Sequence, residues 1–189
     1  PGAAQLLAKL RAAGVAFEWM DCDPALADTA AFCEHYGVSL DDSAKGAEIR
    51  ELLEARGLSP KRSLGQNFLV DHQHIRALVD ASGVKAGDLV LEVGPGTGTM
   101  TEELLDRGCR VVACELDDQL SRLVDSRMTE RLRHAGFDPA SRFRLVHADC
   151  LQSKRALNPS LNAAMREMSA AAGSNSGEFH LVANLPYGA

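Results

Sequence analysis

The chain has 189 residues, 46% of them hydrophobic, and a formal charge of −6, which allows one ordinary domain with its own core and argues against a self-sufficient nucleic-acid binder, since such proteins show a basic face. Its five cysteines are odd in number and lack CxxC spacing, so free thiols in a reducing cytoplasm are expected, with no disulfide framework and no structural zinc or other metal site. No apolar run approaches the roughly 20 residues needed to span a bilayer, and Lys9 and Arg11 break the first apolar stretch, so neither a membrane anchor nor a signal peptide is read.

Residues 4–13 read as a short helix, Val15–Met20 as a strand, and Asp28–Tyr36 as a second helix ended by Gly37. Ser39–Gly46 is polar and reads as a linker. Residues 1–45 are therefore set apart as an N-terminal, α-rich extension, and residues 46–189 as the main domain. The extension is also where the acidity lies: residues 1–60 hold five Lys or Arg against ten Asp or Glu. Glu48–Arg56 is a helix stopped by Gly57 and Pro60, Lys61–Gly65 a basic loop, and His72–Ala81 a helix with Ile75, Leu78 and Val79 on one face.

Beyond Ala81 strands alternate with helices. Leu89–Val93, Arg110–Glu115, Phe143–His147 and Phe179–Ala183 are apolar enough for buried strands. Thr99–Arg107, Asp117–Arg127 and Ala163–Ala172 read as helices, and Ser174–Gly177 as a polar spacer. That alternation predicts a mostly parallel, doubly wound α/β sheet.

Glu92-Val93-Gly94-Pro95-Gly96-Thr97-Gly98 joins the first strand to the helix after it. Its glycines allow a tight turn and close backbone approach to a ligand. The dinucleotide fingerprint GxGxxG fails because its third glycine position holds Thr99, and the Gly-Lys-Ser/Thr of a P-loop is absent. The form E-x-G-x-G-x-G resembles the first motif of class I S-adenosylmethionine-dependent methyltransferases, whose loop embraces the methionine part of the cofactor. Glu115 ends the second strand 21 residues after Gly94, where a carboxylate can accept hydrogen bonds from ribose hydroxyls. Asp149 follows the third strand, where the resemblance implies a bond to the adenine amino group of the cofactor.

Asn184-Leu185-Pro186-Tyr187 follows the fourth strand and resembles the N/D-P-P-Y/F motif of methyltransferases acting on exocyclic amines. An adenine amino nitrogen is a poor nucleophile because its lone pair is delocalised into the ring. The Asn184 side-chain oxygen and a backbone carbonyl beside Pro186 can accept both amine hydrogens and favour a pyramidal nitrogen, while Tyr187 can stack on the base. The methyl donor is a sulfonium and already activated, so neither a metal nor a strong base is needed.

Taken with Lys61-Arg62-Ser63-Leu64-Gly65-Gln66-Asn67-Phe68-Leu69-Val70-Asp71 and Glu115-Leu116-Asp117, these motifs make residues 46–189 look like the KsgA-type small-subunit ribosomal RNA adenine N6-dimethyltransferases. The resemblance implies the Rossmann-like class I fold, S-adenosylmethionine as cofactor, and dimethylation of adjacent adenosines in small-subunit ribosomal RNA during ribosome biogenesis. A monomer acting in the cytoplasm on the pre-ribosomal small subunit is implied too. Cofactor contacts are expected from Gln66, Asn67, Leu69, Glu92, Gly94, Gly96, Gly98, Glu115, Leu116, Asp149, Cys150 and Asn184. The catalytic set is expected to be Asn184, Leu185, Pro186 and Tyr187, with Lys61 and Arg62 on RNA phosphates. Two alternatives stand behind this reading. One is a macrolide-resistance-type large-subunit RNA methyltransferase, a group that more often has Ile where Leu185 stands; the other is a ribosome-assembly binding module without turnover. Family members continue beyond Asn-Leu-Pro-Tyr with more strands and a helical domain, so the chain is expected to be an inactive fragment truncated after the fourth strand. Ala8–Tyr36 faintly resembles the start of YbaK-type aminoacyl-tRNA deacylases, though a helical extension is the simpler reading.

Overall fold

The apolar runs that read as strands line up in one four-stranded sheet in a computed structural model, which describes residues 51, 54–55, 57, 72–153, 156–173 and 178–183. Helix α1 (His72–Ala81) leads into β1 (Leu89–Val93), α2 (Thr99–Asp106), β2 (Arg110–Glu115), α3 (Asp118–His134) and β3 (Phe143–His147). The short strands β4 (Leu151–Ser153) and β5 (Ala156–Leu157), helix α4 (Pro159–Ala171) and β6 (His180–Val182) follow. The extension 1–45 and the two helices and strand expected within it lie outside the described residues. Of the helix expected over Glu48–Arg56, Glu51, Glu54 and Ala55 are helical, and Gly57 has φ 62 with its N–H on the Glu54 carbonyl.

The sheet order is β3-β2-β1-β6 and every pairing is parallel. Val90 pairs with Val111, Leu91 with Leu181, and Glu115 with His147. Side chains alternate across the strands. Leu89, Leu91, Val93, Val112 and Cys114 pack with Leu161, Met165 and Met168 of α4. Val90, Val111 and Ala113 pack with Ile75 and Val79 of α1, Leu104 of α2, and Val124, Met128 and Leu132 of α3. Helices thus cover both faces, which makes the sheet doubly wound. The order reverses at β1: β2 and β3 extend one way and β6 returns to the other side. Ligands in such sheets bind outside the carboxyl ends of the strands at this switch point.

Three differences from the sequence reading have local causes. Helix α3 runs seven residues beyond Arg127 because Met128 and Leu132 continue its apolar stripe at i, i+4. Helix α4 starts at Pro159, four residues before Ala163, because Asn158 caps it through Ser160 N–H at 2.9 Å and proline suits the first helical position. The β4–β5 antiparallel pair and a 3-10 turn at Pro139–Ser141 are too short to leave a periodic signal. Among the described residues no helix is long and apolar enough to cross a membrane.

Candidate cofactor-binding site

The loop between β1 and α2 starts where Val93 leaves the sheet. Gly94, Gly96 and Gly98 have φ of 71, 58 and 81, in the left-handed region that side chains disfavour. All three glycines of the motif are therefore required by the backbone. Gly94 N–H donates to the Cys114 carbonyl at 2.9 Å and Gly98 N–H to the Pro95 carbonyl at 2.8 Å. A Cβ on Gly94 would meet nothing within 4 Å, whereas one on Gly98 would lie 3.2 Å from a Val124 methyl. Gly94 thus presents bare backbone to open space, and Gly98 seats the loop on α3.

Glu115, at the carboxyl end of β2, is buried yet hydrogen-bonded on both oxygens. Oε2 accepts from Gly96 N–H at 3.1 Å and Oε1 from Asp117 N–H at 2.9 Å. Each oxygen keeps a second lone pair for a ligand hydroxyl. Next to it Leu116 is 53% exposed, one of two large apolar side chains so placed among the described residues. Asp117 caps α3 by accepting from Gln119 N–H at 2.9 Å and Leu120 N–H at 3.1 Å. The Glu115-Leu116-Asp117 run therefore divides its work among an acid aimed at the loop, an apolar surface and a helix cap.

Glu92 precedes the loop on the face of β1 turned to α2. It is fully buried; its Oε2 accepts from the Thr101 hydroxyl at 2.7 Å and its Oε1 has no partner among the described residues. Burial pushes its carboxyl up to about 8, against the opposing Thr101 bond and with a smaller contribution from the Glu115 charge. At neutral pH the carboxyl is mostly protonated, a neutral group beneath the loop.

Asp149 and Cys150 follow β3. Asp149 is exposed, and its Oδ1 accepts from Leu151 N–H at 2.9 Å. Cys150 is half-buried against the α4-side core, and its carbonyl receives Asn158 N–H at 2.9 Å. The structure so gathers Glu92, Gly94, Gly96, Gly98, Glu115 and Leu116 around the end of β1 and β2, with Asp149 and Cys150 one strand further along. Gln66, Asn67, Leu69, Lys61, Arg62 and the whole set Asn184, Leu185, Pro186 and Tyr187 lie outside the described residues. Two contributors were not singled out in the sequence. Thr101 carries the bond to Glu92, and Arg127 donates to the Thr97 carbonyl. Arg127 has no motif around it to mark it.

The described residues suit S-adenosylmethionine. Bare backbone at Gly94, the lone pairs of Glu115, the exposed Leu116 side chain and the exposed Asp149 carboxylate are groups of the kinds that a methionine chain, a ribose and an adenine would use. The described residues contain no group of three His, Cys, Asp or Glu placed to hold a metal ion.

Comparison with known proteins bears on this geometry. The profile of the ribosomal RNA adenine dimethylase family matches residues 57–189. The chain belongs to that family. It is 39% identical over 141 residues to the "Ribosomal RNA small subunit methyltransferase A" of Leifsonia xyli subsp. xyli, covering 75% of this chain and 42% of that protein. The protein of the same name in Streptomyces avermitilis is 37% identical over 141 residues, with 75% and 41% covered. That of Deinococcus radiodurans is 51% identical over 74 residues, with 39% and 25% covered. The chain thus spans less than half the length of these relatives. Its parallel, doubly wound sheet is the Rossmann-like class I methyltransferase fold expected from the motifs.

Proposed function

We propose that the chain carries the S-adenosylmethionine-binding part of a ribosomal RNA adenine N6-dimethyltransferase that acts on small-subunit RNA. The observation that carries this is the junction of Glu115 with the glycine loop at the switch point of the sheet: an acid at the end of β2 bonded to Gly96 N–H at 3.1 Å. The names of the relatives, all of them small-subunit RNA methyltransferases, favour that substrate over large-subunit RNA. We place the activity in the cytoplasm, on the immature small subunit, with the protein acting as a monomer; the buried free thiols of Cys109 and Cys114 suit a reducing compartment.

When bound, S-adenosylmethionine supplies a methyl group on a sulfonium that leaves readily. The residues of the chain then bind and orient. Glu115, which holds Gly96 in place, would accept from the ribose hydroxyls, Asp149 would accept from the adenine amino group, and Leu116 would offer the ring an apolar surface. Gln66, Asn67, Leu69 and Cys150 would supply further contacts to the cofactor. At the substrate, Asn184 and the carbonyl flanked by Leu185 and Pro186 accept the two hydrogens of the target amine, and Tyr187 stacks on the base. Positioning and electrostatics account for the rate. Lys61 and Arg62 neutralise RNA phosphates.

Calorimetric titration of S-adenosylmethionine into the chain tests the cofactor half. Micromolar binding that is abolished by Glu115→Ala is expected, and a folded chain that binds nothing contradicts the reading. A longer form that carries this chain together with the strands and helical domain of the family, given labelled S-adenosylmethionine and unmethylated small and large subunits, tests the substrate half: label on small-subunit adenines is expected, and label confined to the large subunit contradicts it.

A further inference from the structure

Arg127 stands on α3, outside every motif that marks cofactor or substrate. Its Nη1 reaches back to donate to the Thr97 carbonyl, and its Nη2 lies 3.1 Å from Oε2 of Glu102 on α2. The peptide between Thr97 and Gly98 is consequently held at both edges: its carbonyl by Arg127, its N–H by the Pro95 carbonyl at 2.8 Å. Rotation of that peptide plane is what changes φ of Gly98, and φ there is 81. Glu102 is itself anchored, with its side chain only 9% exposed and Arg131 3.2 Å from its Oε1.

We infer that Arg127 is a positioning residue for the cofactor site, its guanidinium bridging the Thr97 carbonyl and the Glu102 carboxylate so that the Gly96–Gly98 turn is preset to receive S-adenosylmethionine. The inference rests on the reading of the loop as the site of that cofactor. A guanidinium suits the task because its planar fork offers separate donors to two acceptors at a fixed angle; a lysine ammonium, a single point charge on a flexible stem, does not. The loop turn is then set on two sides, by Glu115 at Gly96 and by Arg127 at Thr97. Presetting it removes an ordering cost from ligand binding.

Arg131 provides the control. One turn further along α3, it pairs with Glu102 and, at 2.7 Å, with Asp106, so it ties α3 to α2. Each arginine leaves the other on Glu102 when it is replaced, so neither substitution orphans that buried carboxylate.

The experiment compares wild type, Arg127→Met, Arg127→Lys and Arg131→Met by amide hydrogen exchange at Gly96 and Gly98, S-adenosylmethionine affinity and melting temperature. Arg127→Met is expected to speed exchange at Gly98 and weaken cofactor binding about tenfold, as loss of a charge-assisted hydrogen bond does, with partial recovery in Arg127→Lys. Arg131→Met is expected to lower the melting temperature without either effect. Unchanged Gly98 exchange in Arg127→Met, or equal effects in Arg127→Met and Arg131→Met, overturns the inference whatever the wild type binds. A wild type that binds no S-adenosylmethionine overturns the cofactor reading instead. If Arg127→Met does not fold, Arg127→Lys, which keeps the charge beside Glu102, is read the same way.

Discussion

Two acids stand at the carboxyl ends of neighbouring strands of one sheet, and the structure treats them in opposite ways. Glu115, the last residue of β2, is buried and takes Gly96 N–H at 3.1 Å and Asp117 N–H at 2.9 Å, so it joins the glycine loop to the start of α3. Asp149, after β3, is exposed and takes only Leu151 N–H at 2.9 Å, two residues along. Both are read as cofactor contacts, the first for the ribose and the second for the adenine. An acid at a strand end can therefore belong to the fold as well as to a site. On the proposed reading, stability and binding are coupled at Glu115 and separate at Asp149.

The largest expected effect breaks the coupled end. Glu115→Ala leaves one buried backbone donor, Asp117 N–H, and one part-buried donor, Gly96 N–H, without their acceptor, at about 1–3 kcal/mol for the buried one and less for the other, so a loss of about 2–3 kcal/mol in urea unfolding is expected together with loss of S-adenosylmethionine binding. Glu115→Gln keeps one oxygen and returns part of the stability without the charge. A Glu115→Ala chain as stable as wild type would mean that the loop does not depend on this acid, and the contrast with Asp149 would disappear.

Glu92 sharpens the comparison from below the loop, because its carboxyl is buried with one oxygen unpartnered and pushed up to about 8. The unfolded carboxyl ionises near 4.5 and the folded one near 8, so in that window the native state holds the extra proton. Stability from this group is therefore greatest below the unfolded value and falls as pH rises through the window. Between about pH 6 and pH 7 the fall is about 1.4 kcal/mol. Glu92→Gln, which is neutral throughout, is expected to remove that slope in denaturant melts taken across this range. A wild-type slope identical to that of Glu92→Gln would mean that Glu92 ionises normally.

A smaller effect is expected at the hinge between loop and α3. Gly98→Ala puts a side chain at φ 81 with its Cβ 3.2 Å from Val124, for a loss of about 1 kcal/mol. Gly94→Ala shares the positive φ but meets nothing within 4 Å. Its stability loss is expected to be smaller and its effect to fall on cofactor affinity. Thermal melts and titration of both variants separate loop seating from ligand access.

The parallel sheet was readable because its strands are short, mostly apolar runs that alternate with helical segments, and β1, β2 and β3 have the bounds expected for them. The glycine loop and Glu115 were readable because their spacing repeats a known chemistry. What the pattern hid was hidden by charge. The end of α3 alternates Met128 and Leu132 with Arg127, Glu130, Arg131 and Arg133, which looks like a solvated face; in the structure Arg127 and Arg131 clamp Glu102. Glu92 looked like a ligand contact from its motif, but only the fold shows a carboxyl sealed against Thr101. Asn158-Pro159 is an ordinary helix start that a reading by apolar period alone passes over.

Asp149 carries the smallest expected effect on stability, and it decides the comparison. Its bond to Leu151 N–H is local and exposed, so water replaces it when the carboxylate is removed, and Asp149→Ala is expected to cost about 0.5 kcal/mol. Cofactor affinity is nevertheless expected to fall about tenfold, the equivalent of one hydrogen bond to the adenine amino group. A small stability loss with a clear affinity loss places Asp149 in the site and outside the structural frame, the reverse of Glu115. Equal affinity in Asp149→Ala and wild type would remove Asp149 from the site and leave Glu115 and the glycine loop to hold the cofactor by its ribose and methionine parts.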